Sequence, residues 1–178
     1  MKKQSLFKLA LSGLFAAIVC VMTLVAIPLP ANGYANMGDC FVILSGAVLG
    51  PVYGPLAAGV GSMLSDIFLG YAVYAPATFV IKGLMALFIS ITLGKHQMKK
   101  DIGTVVRTAI FSACAEVIMV LGYFLFETVL YGVKTAIADI LGNGMQGVVG
   151  VIAATVVCSV LSATGVVTKI KNLIGGGN

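Results

Sequence analysis

Charge is what this sequence has least of: only 10% of its 178 residues are Asp, Glu, Lys or Arg, against about a quarter in a soluble domain. Sixty per cent are hydrophobic and the mean hydropathy is +1.09. Such a chain cannot clothe a globule in polar surface, so a water-soluble fold is excluded. At about 20 residues per membrane span, six spans use about 120 residues and leave fewer than about 60 for termini and loops. A soluble catalytic or nucleotide-binding domain has no room.

Other absences narrow the chemistry. There is no G-x-x-x-x-G-K-[ST] phosphate loop, so the chain does not hydrolyse ATP by itself. The single histidine, His96, sits in a lysine-rich stretch that falls in an inner loop, and no Ser/His/Asp or His/Cys/carboxylate constellation suits catalysis. Cys20, Cys40, Cys114 and Cys158 all fall in apolar stretches without C-x-x-C pairing. They read as small buried hydrophobes, with neither a disulfide framework nor a metal site. The net charge of +5 comes from basic residues spread over loops and ends, which points to membrane topology rather than nucleic acid.

What is present is a series of apolar runs. Met1 to Lys8 imitates the start of a secretory signal, but the run Leu9 to Ile27 is too long for one and ends in no A-x-A-like site, so it reads as a retained helix. Breaks at Pro/Gly clusters and charge runs predict one all-α membrane domain over 1–178. Its six helices fall near 8–27, 39–50, 55–70, 76–93, 105–127 and 146–168. The strong breaker Gly50-Pro51-Val52-Tyr53-Gly54-Pro55 separates the second and third as a hairpin. With six spans, Lys2, Lys3, Lys8, Lys95, Lys99, Lys100, Arg107, Lys169 and Lys171 share one side, against Lys134 alone in the opposite loops. That asymmetry predicts both termini in the cytoplasm. Pro28–Gly38, Gly70–Ala75 and Thr128–Met145 then form the outer segments.

Ionisable residues inside hydrocarbon cost about 2.5–3.5 kcal/mol each on insertion scales, so Asp66, Lys82 and Glu116 are expected to face protein or water. Asp66 and Lys82 read either as an ion pair between neighbouring helices or as cavity lining. Glu116 reads as a satisfied interior acid or a proton relay. Asp39 ends Asn36-Met37-Gly38-Asp39, which suits both a helix cap and a ligand contact. Gly54, Ala58 and Ser62 read as a close-packing face, and Ser12/Ala16 with Gly13/Ala17 as internal packing or a smooth docking face. Tyr34, Tyr71, Tyr74, Tyr123 and Tyr131 gather on the outer side, either as an interfacial belt or as stacking partners for a flat ring. From this outer polar cluster, Asn36, Asp39, Tyr74, Lys82, Asn143 and Gln146 are the candidate lining of a site for a small heterocycle. Asp39, Asp66, Glu127 and Asp139 against Lys82 and Lys134 disfavour a phosphorylated ligand and suit a neutral or partly cationic ring.

The segments Asn36-Met37-Gly38-Asp39, Gly50-Pro51-Val52-Tyr53-Gly54, Gly61-Ser62-Met63-Leu64-Ser65-Asp66 and Asn143-Gly144-Met145-Gln146-Gly147 carry a resemblance. Its most specific part is Gly70-Tyr71-Ala72-Val73-Tyr74-Ala75-Pro76-Ala77-Thr78-Phe79-Val80-Ile81-Lys82-Gly83. Together they resemble the S components of energy-coupling factor (ECF) vitamin transporters, and more narrowly the riboflavin-type family. The resemblance implies a six-helix cell-membrane subunit, not an enzyme, that captures a vitamin outside and docks on a membrane scaffold bearing two ABC-type ATPases. The chain would bind no cofactor, and the partner ATPases would use ATP. It further implies a pyridoxine-type (vitamin B6) or hydroxymethylpyrimidine-type ligand, with riboflavin the outsider, and scaffold docking through a looser small-residue motif at Ser12, Gly13, Ala16 and Ala17. A self-sufficient secondary transporter is the alternative from another class, and a membrane-embedded enzyme a third.

Overall fold

The computed structural model describes residues 2–28, 34–96 and 100–175. Lys99, the side chains of Lys2, Lys3 and Tyr34, and residues 29–33 of the segment expected at Pro28–Gly38 lie outside the described residues. In chain order the elements are α1 (Lys2–Leu24), β1 (Ala26–Pro28), β2 (Tyr34–Asn36), α2 (Gly38–Phe68), α3 (Ala75–Ile91), a 3-10 turn (Leu93–Lys95), α4 (Ile102–Tyr131), α5 (Val133–Ala163) and α6 (Val166–Leu173). Among the described residues, five helices, α1 to α5, are long and apolar enough to cross a membrane.

The expected helices 39–50 and 55–70 are halves of α2, and the expected break is a single residue. Gly50 has φ 84° and ψ −177°, a conformation open to glycine and strained for other residues. Pro51 then begins the second half without needing a backbone N–H partner. The reversal is sharp: the Ser45 hydroxyl lies 3.2 Å from the carbonyl of Gly54, whereas nine residues of straight helix would separate them by about 13 Å. Residues 38–49 therefore run parallel to α3, with Asp39 meeting Lys82 and Gly46 packed on the Ala86 carbonyl, and residues 51–68 run antiparallel to it, with Gly59 packed on Phe79. At 12 residues the first half is only about 18 Å long. It is buried on nearly every side, with Asp39, Cys40, Val42 to Leu49 all in the interior. The β1–β2 hairpin, in register Ala26↔Asn36 and Pro28↔Tyr34, delivers the chain to its N-terminus.

A second reversal overturns an expectation. Thr128–Met145, expected as an outer connecting segment, is helical apart from Gly132, which has φ 88° and joins α4 directly to α5. The two helices fold back on each other, so that Glu116 of α4 meets Gly147 and Gly150 of α5. The polar residues that suggested a loop have helical spacing: Asp139, Gly142, Asn143 and Gln146 share one stripe of α5. The final expected helix, 146–168, likewise ends early at Ala163, because Gly165 is left-handed (φ 71°) and α6 starts anew as a short amphipathic segment. The helix expected at 105–127 extends to Ile102–Tyr131, opened by Asp101, whose carboxylate accepts from the Thr104 N–H at 2.6 Å. The helix expected at 8–27 is shifted to Lys2–Leu24 and gives way to β1.

The core centres on the short first half of α2, where Val42, Ile43, Ala47 and Val48 meet Val19 of α1, Met85 and Ile89 of α3, Ala115 and Met119 of α4, and Ala154 and Cys158 of α5. Outward faces of α1, α4 and α5 remain apolar: Leu14, Val117, Leu121, Val148 and Ile152 are all exposed. In water such a surface would aggregate, and in a bilayer it is the lipid-facing side.

Candidate functional site

A cavity of about 200 Å³ lies at the end of the bundle where Gly132 joins α4 to α5. Asn36, Asp39, Tyr74, Lys82, Asn143 and Gln146, the six residues singled out from the sequence, all line it. They come from five separate stretches of chain, β2, α2, the α2–α3 turn, α3 and α5.

At the floor, the Asp39 carboxylate is shared. One oxygen accepts from Lys82 Nζ in an ion pair buried on both sides, and the other accepts from Gln146 Nε2 at 2.7 Å. Lys82 also reaches the Met119 sulfur at 2.9 Å and lies 5.8 Å from the centre of the Tyr123 ring. This arrangement decides two open questions. Lys82 pairs with Asp39 rather than Asp66, because the half-length first segment of α2 starts about two turns below the Ala75 end of α3, at the level of Lys82. Asp39 does not cap its helix either, since the Asn36 side chain accepts from the Gly38 N–H at 2.8 Å while both Asp39 oxygens point to the site. As a first-turn anion, Asp39 is also favoured by the helix dipole.

The walls are aromatic and acidic. Tyr74 is the hub of a ring cluster, 6.4 Å from Tyr71, 6.5 Å from Tyr123, 5.4 Å from Phe126 and 6.3 Å from Tyr131. Burial, aided by Glu127 and Tyr131, pushes the Tyr74 phenol above its ordinary range, so it stays protonated at neutral pH. Thr78 and Tyr123 hydroxyls share a 2.9 Å hydrogen bond. Ser62 Oγ, Asp66 Oδ2 and Glu127 Oε2 line the cavity without a hydrogen-bond partner among the described residues. Buried polar atoms are rarely left so, and three around one space form a preformed set of acceptors. Among the described residues, four carboxylates, those of Asp39, Asp66, Glu127 and Asp139, line the cavity against the one ammonium of Lys82.

Thr23, Ser62, Tyr71, Thr78 and Tyr123 were not among the six, nor was Met119, which touches Lys82 and Gln146 from below. Helical spacing would have found part of this set: Glu116, Met119, Tyr123 and Glu127 form one stripe of α4. Glu116 lies beneath the site, buried, both carboxylate oxygens unpartnered among the described residues. Gly147 and Gly150 leave it room: a Cβ on Gly150 would lie 3.1 Å from both the Asp39 Cβ and the Glu116 carboxyl carbon. The small-residue face of α1 divides: Ser12 is buried and Ala16 packs on Gly61, whereas Gly13 and Ala17 are exposed.

A polar, ring-lined cavity held within long apolar helices defines a solute-binding membrane protein. Residues 3–163 match the family model described as "ECF-type riboflavin transporter, S component". The chain belongs to that family: it is a multi-pass cell-membrane protein, a vitamin-type substrate-binding subunit of a transporter rather than an enzyme. A Pyrococcus woesei protein described as "Uncharacterized protein in gap 3'region" is 35% identical over 137 residues, which cover 76% of this chain and 88% of that one.

Proposed function

We propose that the chain captures a small, neutral or partly cationic B-type vitamin or precursor, with pyridoxine the best fit, for ATP-driven uptake by an ECF-type importer. The observation that carries this reading is the cavity itself: acceptor-rich, ringed by tyrosines and closed below by Asp39, Lys82 and Gln146. At about 200 Å³ it falls below the about 300–1,000 Å³ of sites for drug-sized ligands. That favours one heteroaromatic ring with short hydroxyl-bearing substituents over a tricyclic flavin with a sugar-alcohol tail. Hydroxymethylpyrimidine fits nearly as well. The excess of carboxylates disfavours a phosphorylated form.

Six crossings follow if the two halves of α2 count separately, and both termini then lie in the cytoplasm. Supporting this, Lys8, Lys95 and Lys171 meet at the end of the bundle opposite the site, near the α1 start and the chain's last described residues. Lacking a phosphate loop, the chain would draw energy from a membrane scaffold with two ABC-type ATPases and need no cofactor of its own. Ser12, Gly13, Ala16 and Ala17 would form the docking stretch, Gly13 and Ala17 at its surface.

A thermal-shift screen of B vitamins on the purified chain tests the reading. Pyridoxine or hydroxymethylpyrimidine should raise the melting temperature at concentrations well above its Kd. Stabilisation by riboflavin alone would overturn the ligand assignment.

A further inference from the structure

The second cavity, about 390 Å³, lies at the opposite end of the bundle, around the Gly50 reversal. Three lysines line it from three separate elements, Lys8 of α1, Lys95 of the 3-10 turn and Lys171 of α6, and among the described residues no carboxylate does. Lys171 donates to the Gly94 carbonyl at 2.8 Å, and its ammonium carries three donors, so among the described residues two are left for a further partner. Burial lowers the Lys171 amine from its ordinary range, a cost that a nearby anion would offset.

Two further features converge there. Ser90 is 5% exposed, lines the cavity, and its hydroxyl has no hydrogen-bond partner among the described residues. The second half of α2 begins at Pro51 with its first turn at the cavity wall, so its N–H groups and the positive end of its dipole add to the same field. Ala47, Val48, Leu49 and Val52 supply an apolar flank.

We propose that this cavity binds an anionic phosphate group, held by Lys8, Lys95, Lys171 and the Ser90 hydroxyl. Lysine serves such a group as a point charge, the unpaired hydroxyl as a neutral donor, and the apolar flank suits a phosphate that carries hydrocarbon. The inference stands independently of the vitamin reading, because the two cavities share no lining residue. A phospholipid headgroup and a free phosphate present the same chemistry here.

The test uses the full chain, delipidated in neutral detergent, and measures binding of dioctanoyl phosphatidylglycerol, dioctanoyl phosphatidylcholine and inorganic phosphate. Phosphatidylglycerol or inorganic phosphate should bind and the zwitterionic lipid should not. Binding should weaken as salt rises from about 0.1 M to about 1 M, where the Debye length shrinks from about 10 Å to about 3 Å. Lys8→Gln with Lys95→Gln should weaken binding about tenfold or more, equivalent to about 1.4 kcal/mol, while Lys134→Gln at the other end should leave it unchanged. Binding of the lipid alone identifies a headgroup site, and equal competition by inorganic phosphate a free-phosphate site. Equal binding of the zwitterionic lipid, or affinity unchanged in the lysine variants, overturns the proposal. Should the double variant fail to fold, Lys95→Gln alone, at an exposed position, decides it by the same criteria.

Discussion

The two ends of this molecule solve the problem of polar groups in a membrane in opposite ways. At the Gly132 end, four carboxylates surround one buried lysine, and Asp39 is tied to both Lys82 and Gln146. At the Gly50 end, three lysines share a space that no acid among the described residues lines. Both ends are built on a one-residue helix reversal at a glycine of positive φ. The difference is depth. Asp39 and Lys82 are fully inside the protein, where an unpaired charge is prohibitive and pairing is obligatory. The lysines of the other end lie nearer the surface, where long stems carry the charge outward and no internal counter-ion is required.

Removing the pairing should break this contrast most strongly. Asp39→Asn leaves Lys82 without its counter-ion, and losing one partner of a buried pair costs about 3–5 kcal/mol. Thermal melting should drop accordingly, and titration calorimetry on the folded fraction should show ligand affinity reduced about 100-fold, or about 2.7 kcal/mol. Adding Lys82→Met should recover much of the stability but none of the binding, since the repulsive remnant goes while the ligand contact stays lost. Stability lost with affinity intact would mean that Asp39 serves the fold alone.

A smaller effect separates shape from charge at the same end. Gly150→Ala adds no charge, but its Cβ would press on Asp39 and Glu116, and overpacking of this kind costs about 1–3 kcal/mol. Gly144→Ala, where nothing lies within 4 Å of the new carbon, should stay within about 0.5 kcal/mol of the parent. Equal melting temperatures for the two variants would show that the Gly150 contact relaxes freely.

The smallest effect on binding is expected away from both ends. Ala17→Trp enlarges an exposed position on α1 and should leave ligand affinity within about twofold, or about 0.4 kcal/mol. Uptake measured in vesicles with the ATPase module should nevertheless fall, because close helix approach needs small residues. Uptake equal to wild type would remove α1 as the docking face. Loss of both binding and uptake would place Ala17 in internal packing.

The membrane class and the candidate polar residues were readable in the sequence because each rests on a local quantity. Apolar runs of sufficient length declare helices, and the Gly50-Pro51 break followed from residues that disfavour a continuous helix. The segment around Lys134 to Met145 was less legible: with Lys134, Asp139, Asn143 and two glycines it looked like a loop, and its helical stripe has a purpose only once a polar cavity stands opposite. The Asp39 partner was equally hidden. Lys82 lies near both Asp39 and Asp66 in any six-helix arrangement, and only the depth at which the short half of α2 begins chooses between them.

By itself, then, the sequence determined a transmembrane helical protein with its polar chemistry gathered toward one side and its basic residues toward the other, because hydrophobicity and charge act along the chain. Which carboxylate neutralises Lys82, that the Asn36 side chain rather than Asp39 accepts from the Gly38 N–H at the start of α2, and that Gly147 and Gly150 open space for Glu116 were decided only by tertiary structure. Those choices depend on helices far apart in sequence meeting at particular depths. A low-dielectric interior then makes the loss of either partner of the Asp39–Lys82 pair far more costly than it would be in water.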